Sequence, residues 1–372
     1  MNWDEMRAAG QTAFDAGNYA EAERLWTQAL EETRSLGEDS LRTATSSLDL
    51  ARLYHATGKY TVAEGWIETA SQIRQDQLGK HHLQLAECFT LLAQNYALQG
   101  KFDECEQLYK RALQIREKGL GKRHPEVADS MQELAGFYSS MGKFEDCLTL
   151  MEKALAIRES LSPQTMEVAN ALKSLARIYR KLGRYGDAEQ HYIRSLQLKE
   201  KLLGTDHVHV AESLRSLANN YSYQGKYAEA EPLYRRSLEV YERVLGTDHP
   251  EVATNLHNLA VLYYKMGRDA EAATLYRRAL ELFSSVLGTE HPEVATTLVS
   301  MAKFYEQRGK YDKAEALSNL ALSIFERTYG PEHRNVGTSL RDLAEVYNAQ
   351  GRRVEAECAR TRAEQILSKQ SK

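Results

Sequence analysis

A chain of 372 residues has room for two or three ordinary domains or for one long array of repeats. Its 42% hydrophobic and 27% charged content excludes global disorder, and a net charge of −4 excludes nucleic-acid binding through a dominant basic field. No stretch approaches the roughly 18 continuous apolar residues that cross a bilayer, and Met1-Asn2-Trp3-Asp4-Glu5 is no signal-peptide start, so a cytoplasmic protein without membrane insertion is expected.

Followed from the N-terminus, one glycine punctuates the chain: Gly17, Gly58, Gly100, Gly142, Gly183, Gly225, Gly267, Gly309 and Gly351. Successive intervals are 42 residues, except for 41 at the first and fourth. A basic residue or Asn follows each glycine and then usually an aromatic, as in Lys59-Tyr60, Lys101-Phe102, Lys143-Phe144, Arg184-Tyr185, Lys226-Tyr227 and Lys310-Tyr311. Apolar residues at i, i+3, i+4 and i+7 on both sides of the glycine predict two amphipathic helices per unit, A and B, the first starting at about Trp3. The glycine falls just past helix A, where a left-handed residue turns the chain. Nothing alternates with period two over a useful length, so no strand is predicted.

Small residues share a register on helix A (Ala51, Ala93, Ala135, Ala176, Ala218, Ala260, Ala302, Ala344) and another on helix B (Ala188, Ala230, Ala272, Ala314). They predict close helix approach, with Tyr96, Tyr138, Tyr179, Tyr221, Tyr263, Tyr305 and Tyr347 filling the wedge beside them, which accounts for an excess of 21 tyrosines over eight phenylalanines. Pro125, Pro250 and Pro292 mark the start of helix A, each followed by a glutamate suited to the positive helix end. The final helix, Arg353 to Lys369, carries a polar outer face fit for a soluble cap. Cys88, Cys105, Cys147 and Cys358 lie inside helical segments without paired spacing and read as small, partly buried hydrophobes. The prediction is all-α: a right-handed superhelical solenoid of about nine stacked helix-turn-helix units forming a single domain over 3–369.

The clearest copy runs Asn255-Leu256-His257-Asn258-Leu259-Ala260-Val261-Leu262-Tyr263, then Gly267, Glu271-Ala272, Arg278-Ala279-Leu280 and Leu287-Gly288. This pattern resembles the 42-residue tetratricopeptide repeat of the kinesin-light-chain type, found also in nephrocystin-like and many bacterial repeat proteins, and the resemblance covers nearly the whole chain. That family carries a heptad coiled coil ahead of its repeats, whereas repeats begin at once here. Its cargo groove uses recurrent asparagines on helix A; only Asn258 holds that register, the others being Glu133, Ser174, Ser216, Ser300 and Asp342. The resemblance implies a non-catalytic scaffold or adaptor that holds another protein.

Chemistry is sparse. His124, His249 and His291 precede proline where helix A begins, and His207 and His333 take the same place; spaced one unit apart they cannot converge on a metal and are expected to cap or pack. Isolated turn glycines make no phosphate loop, and carboxylates such as Glu229 and Glu231 read as a solvated helix face with i, i+4 partners such as Glu231–Arg235. No enzyme activity, cofactor or metal is expected.

A partner is expected in the concave groove lined by helix A. Counting from the recurring alanine, early units would present Asp49, Glu87, Asp129, Gln132 and Glu133. Later units would present Lys173, Arg177, Arg180, Lys181, Arg215, Asn219, Tyr223, His257, Asn258, Tyr264, Lys265 and Lys303. That makes a face acidic at first and basic from about the fifth unit to the eighth, suited to an acidic extended peptide held by Arg forks, Asn amides and Tyr rings. Reversing Lys173, Arg177 and Arg215 to Glu should then abolish capture. The alternatives are a self-assembling scaffold stacked end to end and, against the near-neutral charge, an RNA- or phosphate-binding repeat module.

Overall fold

The structure is a computed structural model that describes residues 1–35 and 41–369. It contains eighteen helices and no strand among the described residues. The chain falls into two compact units, Met1–Gly183 and Arg184–Lys372. The first holds α1 (Trp3–Asp15), α2 (Tyr19–Ser35), α3 (Leu41–Ala56), α4 (Tyr60–Leu78), α5 (Leu83–Gln99), α6 (Phe102–Leu120), α7 (Pro125–Ser140), α8 (Phe144–Leu161) and α9 (Met166–Lys181). The second holds α10 (Tyr185–Leu203), α11 (Val208–Tyr223), α12 (Tyr227–Leu245), α13 (Pro250–Lys265), α14 (Asp269–Leu287), α15 (Pro292–Glu306), α16 (Tyr311–Tyr329), α17 (Arg334–Ala349) and α18 (Arg353–Lys369). Odd-numbered helices are the A helices and even-numbered ones the B helices. Within each unit an A helix packs on the B helix before and after it, and neighbouring A helices touch side by side, as α3 does α5 and α13 does α15.

The helix boundaries follow from side-chain chemistry. At the start of A helices, His82, His124, His207, His249, His291 and His333 accept a hydrogen bond through Nδ1 from the main-chain N–H two residues on, at 3.1–3.3 Å. The imidazole thus occupies an orphan donor as a Ser or Asp cap would. At the far end of α11, Gly225 adopts φ 75°, and the next N–H, of Lys226, returns to the Tyr221 carbonyl at 3.0 Å. Only a residue without Cβ makes that left-handed turn freely.

Between helices, the register alanines Ala51, Ala93, Ala135, Ala176, Ala218 and Ala260 are fully buried, as are Ala188, Ala230, Ala272 and Ala314. The tyrosine hydroxyls beside them find a specific acceptor. Tyr96 donates to Glu64 at 2.9 Å, Tyr138 to Glu106 at 3.0 Å, Tyr221 to Glu189 at 3.1 Å and Tyr263 to Glu231 at 2.9 Å, each glutamate lying on the preceding B helix. The cation after the turn glycine closes the set: Lys101, Lys143, Lys226 and Arg268 reach the same carboxylates at 2.9–3.1 Å. Glu231 does pair with Arg235 at 2.9 Å. It is nonetheless a link to the next repeat rather than a merely solvated group. The position is lost at Leu148, where Tyr179 uses Glu152 instead, and at Ala273, where Arg308 binds Asp269.

One column of the B helices changes character along the chain. Arg74, Arg116 and Arg158 in the first unit, and the buried Lys199 on α10 of the second, stand where α12, α14 and α16 place Tyr241, Phe283 and Phe325 at the same register. The aromatics belong to a continuous apolar cluster with Val252, Leu256, Leu298 and Leu340. The arginines run instead to acids and carbonyls of the flanking A helices: Arg74 to Glu87 and the Gln84 carbonyl, Arg158 to Asp129 and Gln132. Of the cysteines, Cys88, Cys105 and Cys147 are buried free thiols, but Cys358 is exposed on α18, a correction to its expected packing.

Hydrogen bonds from Lys110, Lys143 and Tyr138 hold the Glu106 carboxyl down to about 2. A carboxylate lowered by folding stabilises above its unfolded pKa, and the contribution is lost as pH falls through the folded value. Glu106→Gln should therefore cost about 1 kcal/mol at neutral pH. The difference from wild type should close between pH 4.5 and about 2 in denaturant titrations.

Candidate protein-binding surface

The A helices of each unit expose a face on which neighbouring helices meet through charged and polar side chains. In the first unit the expected acids are already engaged. Asp49 is only 2% exposed and is held by Arg7 at 2.5 Å and by Arg52 at 3.4 Å. Glu87 is held by Arg52 and, at 2.9 Å, by Arg74. Asp129 takes Arg158 at 2.5 Å, and Glu133, raised by burial, has Arg116 at 3.7 Å. The free acidic surface expected at this end is therefore replaced by a ladder of internal pairs. The sequence signal was the recurring Arg74, Arg116 and Arg158, whose register alone does not say which face they reach.

On α9 the pattern changes. Lys173, Arg177, Arg180 and Lys181 fall at i, i+4, i+7 and i+8, one stripe of the helix. Lys173 and Arg180 are half-buried, Arg177 and Lys181 exposed. Lys181 lies 4.8 Å from the centre of the Phe144 ring on α8, and neither it nor Arg177 forms an ion pair among the described residues. Both lie near Cys147, whose thiol burial nonetheless pushes up.

In the second unit the expected residues disperse into internal contacts. Arg215 binds Glu251 of α13 and lies over the Tyr241 ring at 5.3 Å. Asn219 accepts from Tyr234 at 2.5 Å. Tyr223 is 59% exposed, stacked on Tyr185 with ring centres 6.4 Å apart, while Lys265 stands over its ring at 5.7 Å. Tyr264 meets Phe304 edge-on at 5.9 Å under the Arg308 guanidinium. Lys303 stands 4.0 Å from Asp342. Asn258 is half-buried and makes no hydrogen bond among the described residues. His257 packs edge-on against Tyr276 at 5.8 Å, its Nδ1 buried without a partner, so the ring faces the repeat interior rather than an incoming chain. The structure thus brings Tyr223 and Lys265 together, and Tyr264 with Arg308, but joins neither pair to His257 or Lys303. Tyr185 and Arg308 were missed, although each holds a recognisable place beside a turn glycine.

The Tetratricopeptide repeat family matches residues 6–76, 56–118, 90–160, 167–243, 217–285, 253–319 and 293–369. No curated protein matches the chain. Among solved structures, the apo form of RapI is similar over 99% of this chain and 98% of its own, with TM-score 0.72 and 14% identity. BtubC (BKLC) from P. vanneervenii is similar over 61% of this chain and 92% of its own, with TM-score 0.53 and 21% identity. The nearly identical kinesin-light-chain TPR-like repeats of P. anserina are similar over 55% and 97%, with TM-score 0.50 and 25% identity.

Burial lowers the pKa of His257 from 6.5 to about 4. The unfolded ring takes up a proton that the folded ring refuses, so stability is full above about 6.5 and declines as pH falls towards 4. Replacing His257→Phe, which keeps an aromatic edge for Tyr276, should flatten the pH dependence of the unfolding midpoint across that window.

Proposed function

We propose that this chain, which belongs to the tetratricopeptide-repeat family and has repeats of the kinesin-light-chain-like type, is a non-catalytic adaptor that holds an extended acidic peptide. Tetratricopeptide repeats are scaffolds for protein–protein interaction, and the cationic stripe of α9 is the place for such a peptide here. The observation that carries this reading is a contrast of pairing within the first unit. Arg7, Arg52, Arg74, Arg116 and Arg158 each have a carboxylate of the chain itself, whereas Arg177 and Lys181 have none among the described residues. An exposed guanidinium and ammonium a helical turn apart attract a carboxylate-bearing chain, and the guanidinium fork fixes its orientation. The second unit, taken by itself, offers ring faces with cations over them in Tyr223 with Lys265 and Tyr264 with Arg308.

Arg215 is a poor probe, because reversing it would set a second carboxylate against Glu251 and unsettle the fold. The informative variant is Arg177→Glu with Lys181→Glu. Peptides selected by display on the intact chain should be rich in Asp and Glu. They should bind more weakly as salt rises, and lose roughly tenfold or more in affinity on the double reversal, at about 1.4 kcal/mol per factor of ten. Selection of the same peptides by wild type and variant, at unchanged helicity, would remove α9 as the site.

A further inference from the structure

One core position of the second unit breaks the register of its neighbours. Tyr192, Tyr234 and Tyr276 recur at one place on α10, α12 and α14, and Tyr109 holds it on α6. Forty-two residues after Tyr276, on α16, stands Ser318. The facing A-helix position changes in step, with Val346 on α17 where α15 has Phe304. Tyr276 and Phe304 meet ring to ring at 6.1 Å. The next junction lacks both rings.

What the missing rings leave is a socket of about 10 Å³, the room that one water-sized group needs. Ser318 and Ser339 line it, 5% and 4% exposed, and their hydroxyls have no hydrogen-bond partner in the described protein. Equally buried serines elsewhere are satisfied: Ser47, Ser213 and Ser237 each donate to a main-chain carbonyl. Glu306 and Asp342 also border the socket, with Val299, Ala302 and Val346 as apolar walls. Burial raises the pKa of both carboxyls, and Glu345 adds to the rise at each. Lys303 at the rim answers only in part, half-exposed and 4.0 Å from Asp342, and Arg341 adds a weaker pull on the same group.

This combination selects its ligand. Two carboxylates repel anions, and two unmatched hydroxyls opening into the socket favour a hydrogen-bonding group over a purely apolar one. The described residues gather no set of three His, Cys, Asp or Glu side chains that could hold a metal ion. A primary ammonium is water-sized and positive, donates three hydrogen bonds, and trails methylenes that the two valines and the alanine can cover. We propose that this socket receives the side-chain ammonium of a lysine presented by a partner polypeptide. The site lies in the second unit and stands independently of the acidic-peptide reading of α9.

The probe is Nα-acetyl-lysine N-methylamide, titrated into the intact chain and followed by saturation-transfer NMR. Saturable binding is expected for wild type, with none for the Nε-acetylated form, which keeps the shape and loses the charge. Ser318→Tyr restores the ring of the sister repeats, so it should fold normally and abolish binding. Asp342→Asn should weaken binding about tenfold or more, and Lys303→Met should tighten it by removing a competing cation. The proposal is overturned by an absence of saturable binding to wild type, or by equal binding to Ser318→Tyr. Equal binding of the Nε-acetylated probe would also overturn it, and preference for cadaverine over the lysine amide would assign the socket to a free diamine instead of a polypeptide.

Discussion

Each helix pair of this chain has an apolar stripe that it cannot cover by itself, and the pair beside it supplies the cover. The contact that makes this work is the close approach of helices over fully buried alanines such as Ala218, Ala230 and Ala260. A larger side chain at these points would force overpacking in a column that repeats along the unit, at a typical cost of about 1–3 kcal/mol. The tyrosine–glutamate–cation sets lie at the rim of that contact. Burial and the neighbouring carboxylates push the hydroxyls of Tyr96 and Tyr221 up to about 12, consistent with their role as donors to Glu64 and Glu189. Close packing sets the spacing, and the hydrogen-bonded rim sets which residue faces which.

The same architecture accepts two different fillings. The second unit places Tyr241, Phe283 and Phe325 in a continuous apolar cluster. The first places Arg74, Arg116 and Arg158 at that register and answers them with Glu87, Glu133 and Asp129. A buried ion pair recovers little net stability compared with a well-packed ring, yet losing one partner is costly because the other charge stays buried. The first unit is therefore more dependent on correct pairing, while the second depends on shape. This also explains why the polar face of the first unit is largely spoken for by its own side chains until α9.

Much of the fold could be read from periodicity, because helix period, turn glycine and helix-start proline are properties of neighbours in sequence. Gly225, Pro250 and the His249 cap stand where those rules place them. The face lined by the A helices was legible as a register but not as chemistry. Asp49, Glu87 and Arg215 are polar residues at the predicted places, and their partners lie 35 to 42 residues away along the chain. Sequence spacing reveals that a group faces a surface; it does not reveal which neighbour neutralises it. His257 fails for a related reason, since whether an imidazole points outward depends on the room beside Tyr276. Ser318 is the reverse case: its departure from a column of tyrosines is visible in the sequence, but it gains meaning only once the unmatched hydroxyl and the carboxylates around it are located.

The split between guanidinium and aromatic columns also bears on how such an array can grow or shrink by duplication. Copies from the second unit carry Tyr241, Phe283 or Phe325 towards walls of Val, Leu and Ala, so a gene segment encoding one of them could be repeated or excised with its junctions still matched. A copy bearing Arg116 has less freedom. In place of the α12 or α14 copy it would still meet an acid at the position of Glu126, in Glu251 or Glu293, but Asn258 or Ser300 at the position of Glu133. Whether such an exchange is tolerated thus turns on a single position, the one where Glu133 supplies the guanidinium with its second carboxylate.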